Sequence, residues 1–355
     1  MKIFHVITLA DLGGAQSVVL NLVNRLVLDG HEVFVLSELQ GPMWDLLDKR
    51  VGQIRIKSLQ RAISPIKEVK VMAALKKAHR LHKPDVIHLH SSKIGALGRL
   101  VFPSSKIVYT VHGFDSIRVA FRKFLPVEKF CQNKCAQIVG VSKYDVEGMK
   151  AEGITQNVSC IYNAISDFTR TEIKDQRPDI TDFLTKNKTV GAKIILCIAR
   201  LSAPKRFDLF CEVAQAFSYD PRFKFVWIGN REVVKDAPEN VFCMGEAPDA
   251  HQYLKYADVF MLPSNYEGLP MSILEALCYG VPVVASAVGG ITEILDGENG
   301  FAVQNTKEDF LDAIHQTVNN DEKYLKFSKN ARLTYEKSFD IQEMYKKYMN
   351  LYSLL

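Results

Sequence analysis

Short apolar runs return again and again along this chain, each followed by a stretch of helical pattern. Lys2–Thr8, Glu32–Ser37, Ile54–Leu59, Val86–His90, Lys106–His112, Gln137–Ser142 and Val158–Tyr162 form one series. A strand with one wet face alternates apolar and polar residues, whereas a strand covered by helices on both faces reads as a nearly continuous apolar run. These runs are mostly apolar rather than alternating, so they predict parallel strands, and strand–helix alternation predicts a doubly wound α/β domain. The pattern lapses over the polar stretch 166–190, the best linker candidate. It restarts with Lys193–Ala199, Lys224–Gly229, Val241–Met244, Val259–Pro263 and Pro282–Ser286. A second α/β domain is therefore expected over 191–339, after a first over 1–165. A length of 355 residues suits two domains. Beyond about residue 305 only helices are expected, the last an amphipathic one over Phe339–Leu355.

Composition removes several function classes. No stretch approaches the ~20 apolar residues that span a bilayer. The apolar run at the N-terminus ends at Asp11, too short for a signal peptide. A cytosolic protein is expected, meeting a membrane only at its surface. The seven Cys are scattered, with only Cys131 and Cys135 close together, which fits neither a disulfide framework nor the usual zinc spacings. Residues 1–165 hold 23 Lys+Arg against 13 Asp+Glu, and residues 166–355 hold 22 against 27. Such asymmetry points the first half at something anionic. Nucleic acid is disfavoured, because no aromatic-and-basic recognition motif accompanies the charge.

Four places carry chemistry. After the first strand, Gly13-Gly14 precedes a helix. The two glycines let backbone approach a ligand, and the helix N-terminus offers N–H groups to a phosphate. The same pair also suits a tight turn that binds nothing. The full G-x-G-x-x-G fingerprint is missing, which argues against a nicotinamide enzyme.

The block 258–290 is more specific. A strand ends at Pro263-Ser264, a loop presents Glu267-Gly268-Leu269-Pro270, and a helix starting near Pro270 carries Glu275. Both carboxylates can face the carboxyl ends of the strands, where open α/β sheets bind ligands. Glu275 is flanked by Ile273, Leu274, Ala276 and Leu277, and a carboxylate on so apolar a helix needs a partner. Arg200 and Lys205 follow the first strand of the second half and suit a diphosphate whose charge grows as it leaves. His112, at the end of Tyr109-Thr110-Val111-His112 and followed by Gly113, completes the set.

With these pieces the chain resembles the family 4 retaining glycosyltransferases, the group that includes capsule, exopolysaccharide and lipopolysaccharide enzymes. The resemblance covers nearly the whole chain. Its sharpest element is Glu267 to Glu275 within Tyr-Glu-Gly-Leu-Pro-Met-Ser-Ile-Leu-Glu-Ala, with Gly289-Gly290 following. Asp85–His90, His112-Gly113-Phe114, Val141-Ser142-Lys143 and Ile161–Ile165 fall in the order the family shows. It implies the GT-B fold, two Rossmann-like domains facing each other across a cleft, the C-terminal helix of about 340–355 completing the first. It implies that Arg200 and Lys205 bind the donor diphosphate and that Glu275 holds the ribose. Glu267, with the N–H groups of Gly268 and Leu269, would contact the transferred sugar. His112 would contact that sugar too, Gly13 and Gly14 would lie near the phosphates, and Met244 would meet the base through its backbone. Departures are Ala199 and Arg206 in place of glycines around the Arg–Lys pair, and Ala164 after Asn163.

The resemblance implies a transfer with retention from a nucleotide-diphosphate sugar, UDP being the commoner nucleotide, to a glycan or lipid-linked acceptor. No D-x-D sequence occurs, so neither a metal nor another cofactor is expected. Two other classes remain open: a non-hydrolysing sugar-nucleotide epimerase on the same fold, and a non-catalytic binder of anionic ligands. A peripheral membrane role is a further expectation. It rests on Ser116–Phe130, read as a helix mixing Ile117, Phe121, Phe124 and Leu125 with Arg118, Arg122 and Lys123, and on the basic stretch Lys67–Lys83.

Overall fold

The computed structural model describes residues 1–170 and 175–355. The chain divides into two compact units, Met1–Ala164 with Ile341–Leu355, and Ile165–Asp340.

The first unit is built on seven strands: β1 (Lys2–Ile7), β2 (Glu32–Glu38), β3 (Gly52–Ile56), β4 (Val86–His90), β5 (Ile107–Val111), β6 (Gln137–Gly140) and β7 (Val158–Cys160). All pair in parallel, in the order β3-β2-β1-β4-β5-β6-β7. The order reverses between β1 and β4, the position where such sheets open a crevice at their carboxyl ends. The helices are α1 (Gly14–Leu28), α2 (Pro65–His82), α3 (Ser92–Val101), α4 (Leu125–Cys131) and α5 (Lys143–Ala151). Helix α1 buries Val18, Val19, Leu22, Val23 and Leu26, the three- and four-residue spacing of one helix face. Helix α3 lies close to the sheet because Gly95 lacks a side chain: a Cβ there would sit 2.4 Å from the Tyr109 ring.

The second unit repeats the plan with α6 (Pro178–Thr189), β8 (Lys193–Ile198), α7 (Phe207–Ala216), β9 (Phe223–Ile228), β10 (Val241–Cys243), β11 (Val259–Leu262), α8 (Met271–Cys278), β12 (Val283–Ser286), β13 (Gly300–Val303), α9 (Lys307–Val318) and α10 (Asp321–Ser338). Its six strands are again parallel, ordered β10-β9-β8-β11-β12-β13. The last helix, α11 (Ile341–Tyr352), belongs to the first unit, where it buries Ile341, Met344, Tyr345, Tyr348 and Tyr352. Two Rossmann-like α/β units are thus present.

Three local expectations change. The stretch 166–190 holds helix α6, whose Ile180 and Leu184 are fully buried, so much of it is packed structure; residues 171–174 of that stretch lie outside those described. Strand β13 was not foreseen because it is only four residues long and opens on a glycine. That glycine is required: Gly300 has φ 149°, and a Cβ would lie 2.1 Å from the Val283 carbonyl oxygen. The segment Ser116–Phe130 is not one amphipathic helix. It is a π-turn over Ser116–Ala120, a 3-10 turn over Arg122–Phe124, and then α4. Pro126 has no N–H to give to the preceding turn, so the helix restarts around it.

Candidate active site

In the second unit the loops after β8 and β11 meet. Asn265 N donates to the Pro204 carbonyl at 2.8 Å, joining the Lys205 loop to the Glu267 loop. Glu267 is fixed from two sides through Oε1, which accepts from Lys205 Nζ and, at 2.6 Å, from Ser264 Oγ. Ser264 is itself anchored: its N–H donates to Ser286 Oγ at 2.7 Å, and its carbonyl accepts from Asn305 Nδ2 at 2.8 Å. Gly289-Gly290 press on the same loop. Gly290 N donates to the Gly268 carbonyl at 2.8 Å. Gly289 has φ 59°, and a Cβ there would lie 1.9 Å from the Glu267 carbonyl oxygen. Only glycine permits that approach. Gly229, with φ 123°, does the same for the Arg200 loop, since a Cβ would lie 2.4 Å from the Ala199 carbonyl oxygen.

Arg200 is exposed and forms no ion pair among the described residues, so its charge is available to a ligand. Arg206 is not: its guanidinium grips Asp208, with Nε 2.8 Å from Oδ2. Glu275 is half-buried in α8, and its carboxylate makes no hydrogen bond or ion pair among the described residues. Burial, with Asp249 nearby, pushes its carboxyl up to about 7. A desolvated carboxylate without a partner is costly, and a pair of hydroxyl donors would relieve it. Leu269 is buried in the loop just before α8. Met244 lines a separate cavity of about 320 Å³ with Asn230, Arg231, Val241 and Gly245. Its N–H donates to the Trp227 carbonyl at 2.9 Å and its carbonyl accepts from Arg177 Nη2 at 2.9 Å.

In the first unit Gly13 precedes α1 and Gly14 opens it, with no acid in that helix's first turn. The N-terminal end therefore keeps its partial positive charge. His112 follows β5, and Gly113 turns the chain with φ 100° so that Phe114 N reaches Asp145 Oδ1 at 2.6 Å. Behind His112 stands a row of histidines to which sequence reasoning assigned no role. His112 Nε2 lies 3.0 Å from His90 Nδ1, and His90 Nε2 lies 3.1 Å from His5 Nδ1. His88 bonds Tyr352 Oη at 2.6 Å and Thr110 Oγ1 at 2.7 Å. The signal was His88-Leu89-His90, two histidines on one face of a strand, with His5 paired to His88 across β1 and β4. Burial drives all four downward, His5 to about 3 and His112 to about 4. The rings are thus neutral at pH 7. Ring nitrogens of His5, His88 and His90 lie within 4.8 Å of one another, close enough to gather a metal, but here they are engaged with each other, Tyr352 and Thr110.

Two family models match, "Glycosyltransferase Family 4" over residues 12–167 and "Glycosyl transferases group 1" over 179–334. The chain is 28% identical to the Escherichia coli UDP-Gal:alpha-D-GlcNAc-diphosphoundecaprenol alpha-1,3-galactosyltransferase, covering 99% of this chain and 96% of that protein. It is also 28% identical to the Escherichia coli O-antigen biosynthesis glycosyltransferase WbnH, covering 89% of this chain and 90% of that one. Among solved structures, Anabaena Alr3699/HepE in complex with UDP-glucose superposes with a TM-score of 0.85 at 18% identity, over 100% of both chains. Both halves of the chain, their two parallel sheets and the Glu267–Glu275 loop and helix agree: this protein belongs to the family 4 glycosyltransferases of the GT-B fold.

Proposed function

We propose that this glycosyltransferase moves a sugar from a UDP-sugar to a lipid-linked or oligosaccharide acceptor, with retention of configuration and without a metal or other cofactor, in surface polysaccharide synthesis. The observation that carries the reading is the fixing of Glu267 by Lys205 and Ser264 between the loops after β8 and β11. A donor diphosphate gains negative charge as it departs, and Arg200 and Lys205 supply fixed positive charge for it. Glu275 accepts from the ribose hydroxyls, which answers its lack of a protein partner. Glu267 stabilises the positive charge that develops on the transferred sugar. Attack takes place on the front face, the leaving phosphate taking the acceptor proton. For His112 the motif implies a hydrogen bond to a sugar hydroxyl. The lipid-linked acceptor is supported by the name of the Escherichia coli relative, a transferase to GlcNAc-diphosphoundecaprenol.

The test is transfer of label from a panel of UDP-, GDP- and ADP-sugars to lipid-linked and free oligosaccharides, with the anomeric configuration of the product read by NMR in the presence of a chelator. A labelled product with the donor's configuration is expected from a UDP-sugar. Interconversion of sugar nucleotides with no acceptor product would indicate the epimerase, and nucleotide binding with neither reaction would indicate a non-catalytic binder.

A further inference from the structure

A cavity of about 580 Å³ opens in the first unit beside the carboxyl ends of β1 and β4. Much of its wall is hydrocarbon: Ile7, Leu9, Leu97, Ile117, Phe121 and Phe124. Three apolar residues of the wall stand out by exposure, Ile63 at 62%, Phe121 at 47% and Val127 at 40%, although all line this one cavity. Single exposed apolar residues are ordinary, but several around one concavity mark a binding site.

The same wall favours an anion. Its two carboxylates are already neutralised, Glu68 by Lys93 at 2.7 Å and Glu128 by Arg99 at 2.5 Å. Arg61 is exposed and forms no ion pair among the described residues, which leaves the wall a net positive charge. Ala15 and Gln16 bring in the first turn of α1, and Ser92 and Lys93 that of α3, neither of which contains an acid. Both N-termini add partial positive charge. Ser91, just before α3, holds φ 74°, rare for a residue with a side chain. That conformation places its hydroxyl 2.7 Å from Thr8 Oγ1, tying the two loops of the cavity together.

We propose that this cavity binds the phosphate-proximal part of a polyisoprenyl diphosphate, the hydrocarbon chain against Leu97, Ile117, Phe121 and Phe124 and the phosphates toward Arg61 and the first turns of α1 and α3. The inference rests on the lipid-linked acceptor proposed above and names the part of the first unit that holds the lipid. A sugar alone would leave its hydroxyls facing aliphatic and aromatic wall, and a neutral hydrocarbon would leave Arg61 unused.

The experiment uses the full chain and farnesyl diphosphate bearing a diazirine at its chain end, with crosslinked peptides mapped by mass spectrometry. Crosslinks are expected at Ile63, within 96–97 and within 116–128, the hydrocarbon part of the wall, competed by unlabelled farnesyl diphosphate and not by inorganic diphosphate at equal concentration. Ile63→Asp and Phe121→Asp, both at exposed positions, should each cut labelling by about tenfold or more. Thermal stabilisation by UDP, measured in parallel, reports that the variants are folded. Labelling spread over the chain, equal competition by inorganic diphosphate, or full labelling of both variants would overturn the proposal. If that happens while sugar is still transferred to a water-soluble acceptor, the lipid site falls alone. If instead no acceptor of either kind is glycosylated, it is the transferase reading that fails.

Discussion

His90 Nδ1 and His112 Nε2 lie 3.0 Å apart, and His112 Nδ1 is buried without a partner among the described residues. A neutral imidazole carries one proton, so each ring in the row His5–His90–His112 must donate at one nitrogen and accept at the other. The direction of the row decides whether His112 Nδ1 offers a hydrogen or a lone pair. The inner histidines therefore set the chemistry of a side chain they do not share a strand with. The row also fixes an acid limit. Folded-state values lie below the unfolded 6.5, so the unfolded chain takes up protons first. The stabilisation is complete above about pH 6.5 and is lost as pH falls toward 4, by up to about 1.4 kcal/mol per pH unit for each buried ring. Urea unfolding at pH 7 and pH 5 should show this loss, and His5→Phe should reduce the pH slope. An unchanged unfolding midpoint across that range would contradict the assignment of neutral rings.

Arg200→Ala and Lys205→Ala should each weaken UDP binding by about 1.5–3 kcal/mol, the worth of a charged hydrogen bond in a site of this kind. Lys205→Ala should do more to turnover, because it also frees Glu267 on one side. Calorimetric titration with UDP and initial rates are the readouts. Wild-type values for both variants would remove these residues from the donor site.

Glu275 and Glu267 should part company when each is changed to Gln. Glu275→Gln should lower UDP affinity, and Glu267→Gln should leave affinity nearly intact while lowering turnover, since its contribution grows in the transition state. Because the Glu275 carboxyl sits at about 7, UDP affinity should fall as pH drops from 8 to 6, and the glutamine variant should lose that dependence. The folded state holds this proton more tightly than the unfolded chain, so folding is favoured at low pH and loses that advantage as pH rises through 7. Glu275→Gln should therefore raise stability at pH 8 by about 1–3 kcal/mol. Equal affinity losses in both variants would sink the division of roles.

Attachment to anionic vesicles should depend on the segment Ser116–Phe130, where Val119 and Phe130 stand 63% and 69% exposed. Arg118 is tied to Asp115 and Arg122 to Glu152, which leaves Lys123 as the cation of this segment's first half without an ion pair among the described residues. Each basic group near an anionic leaflet contributes about 1 kcal/mol. Neutralising Arg118, Arg122 and Lys123 together should weaken co-sedimentation, and Phe130→Asp should add to the loss. Equal, negligible recovery on neutral and anionic vesicles would favour an acceptor met away from the membrane.

Much of this molecule was legible from the order of its residues. Twelve of the thirteen strands fall where the sequence shows mostly apolar runs, because a parallel strand covered by helices on both faces is largely apolar. The order of residues placed Arg200, Lys205 and Glu267 in loops after strands and Glu275 on the following helix, and the structure has them there. What pattern could not supply were relations between distant positions. The bond between Lys205 and Glu267 spans 62 residues, and the clamp of Gly289 on the Glu267 carbonyl depends on a close approach of two loops. The breaking of Ser116–Phe130 into three short turns followed from Pro126 and from packing that helical periodicity does not encode. The histidine row shows the limit most clearly. His5 lies on β1, His90 on β4 and His112 just after β5, and only His112 carried a functional reading in the sequence. Only parallel register brings their nitrogens within 3.1 Å, where burial strips their charge and hydrogen bonding couples their protons. A sequence specifies which groups are present and which surfaces must be hidden. Distances between those groups, and so their protonation and their chemistry, are decided when the sheets assemble.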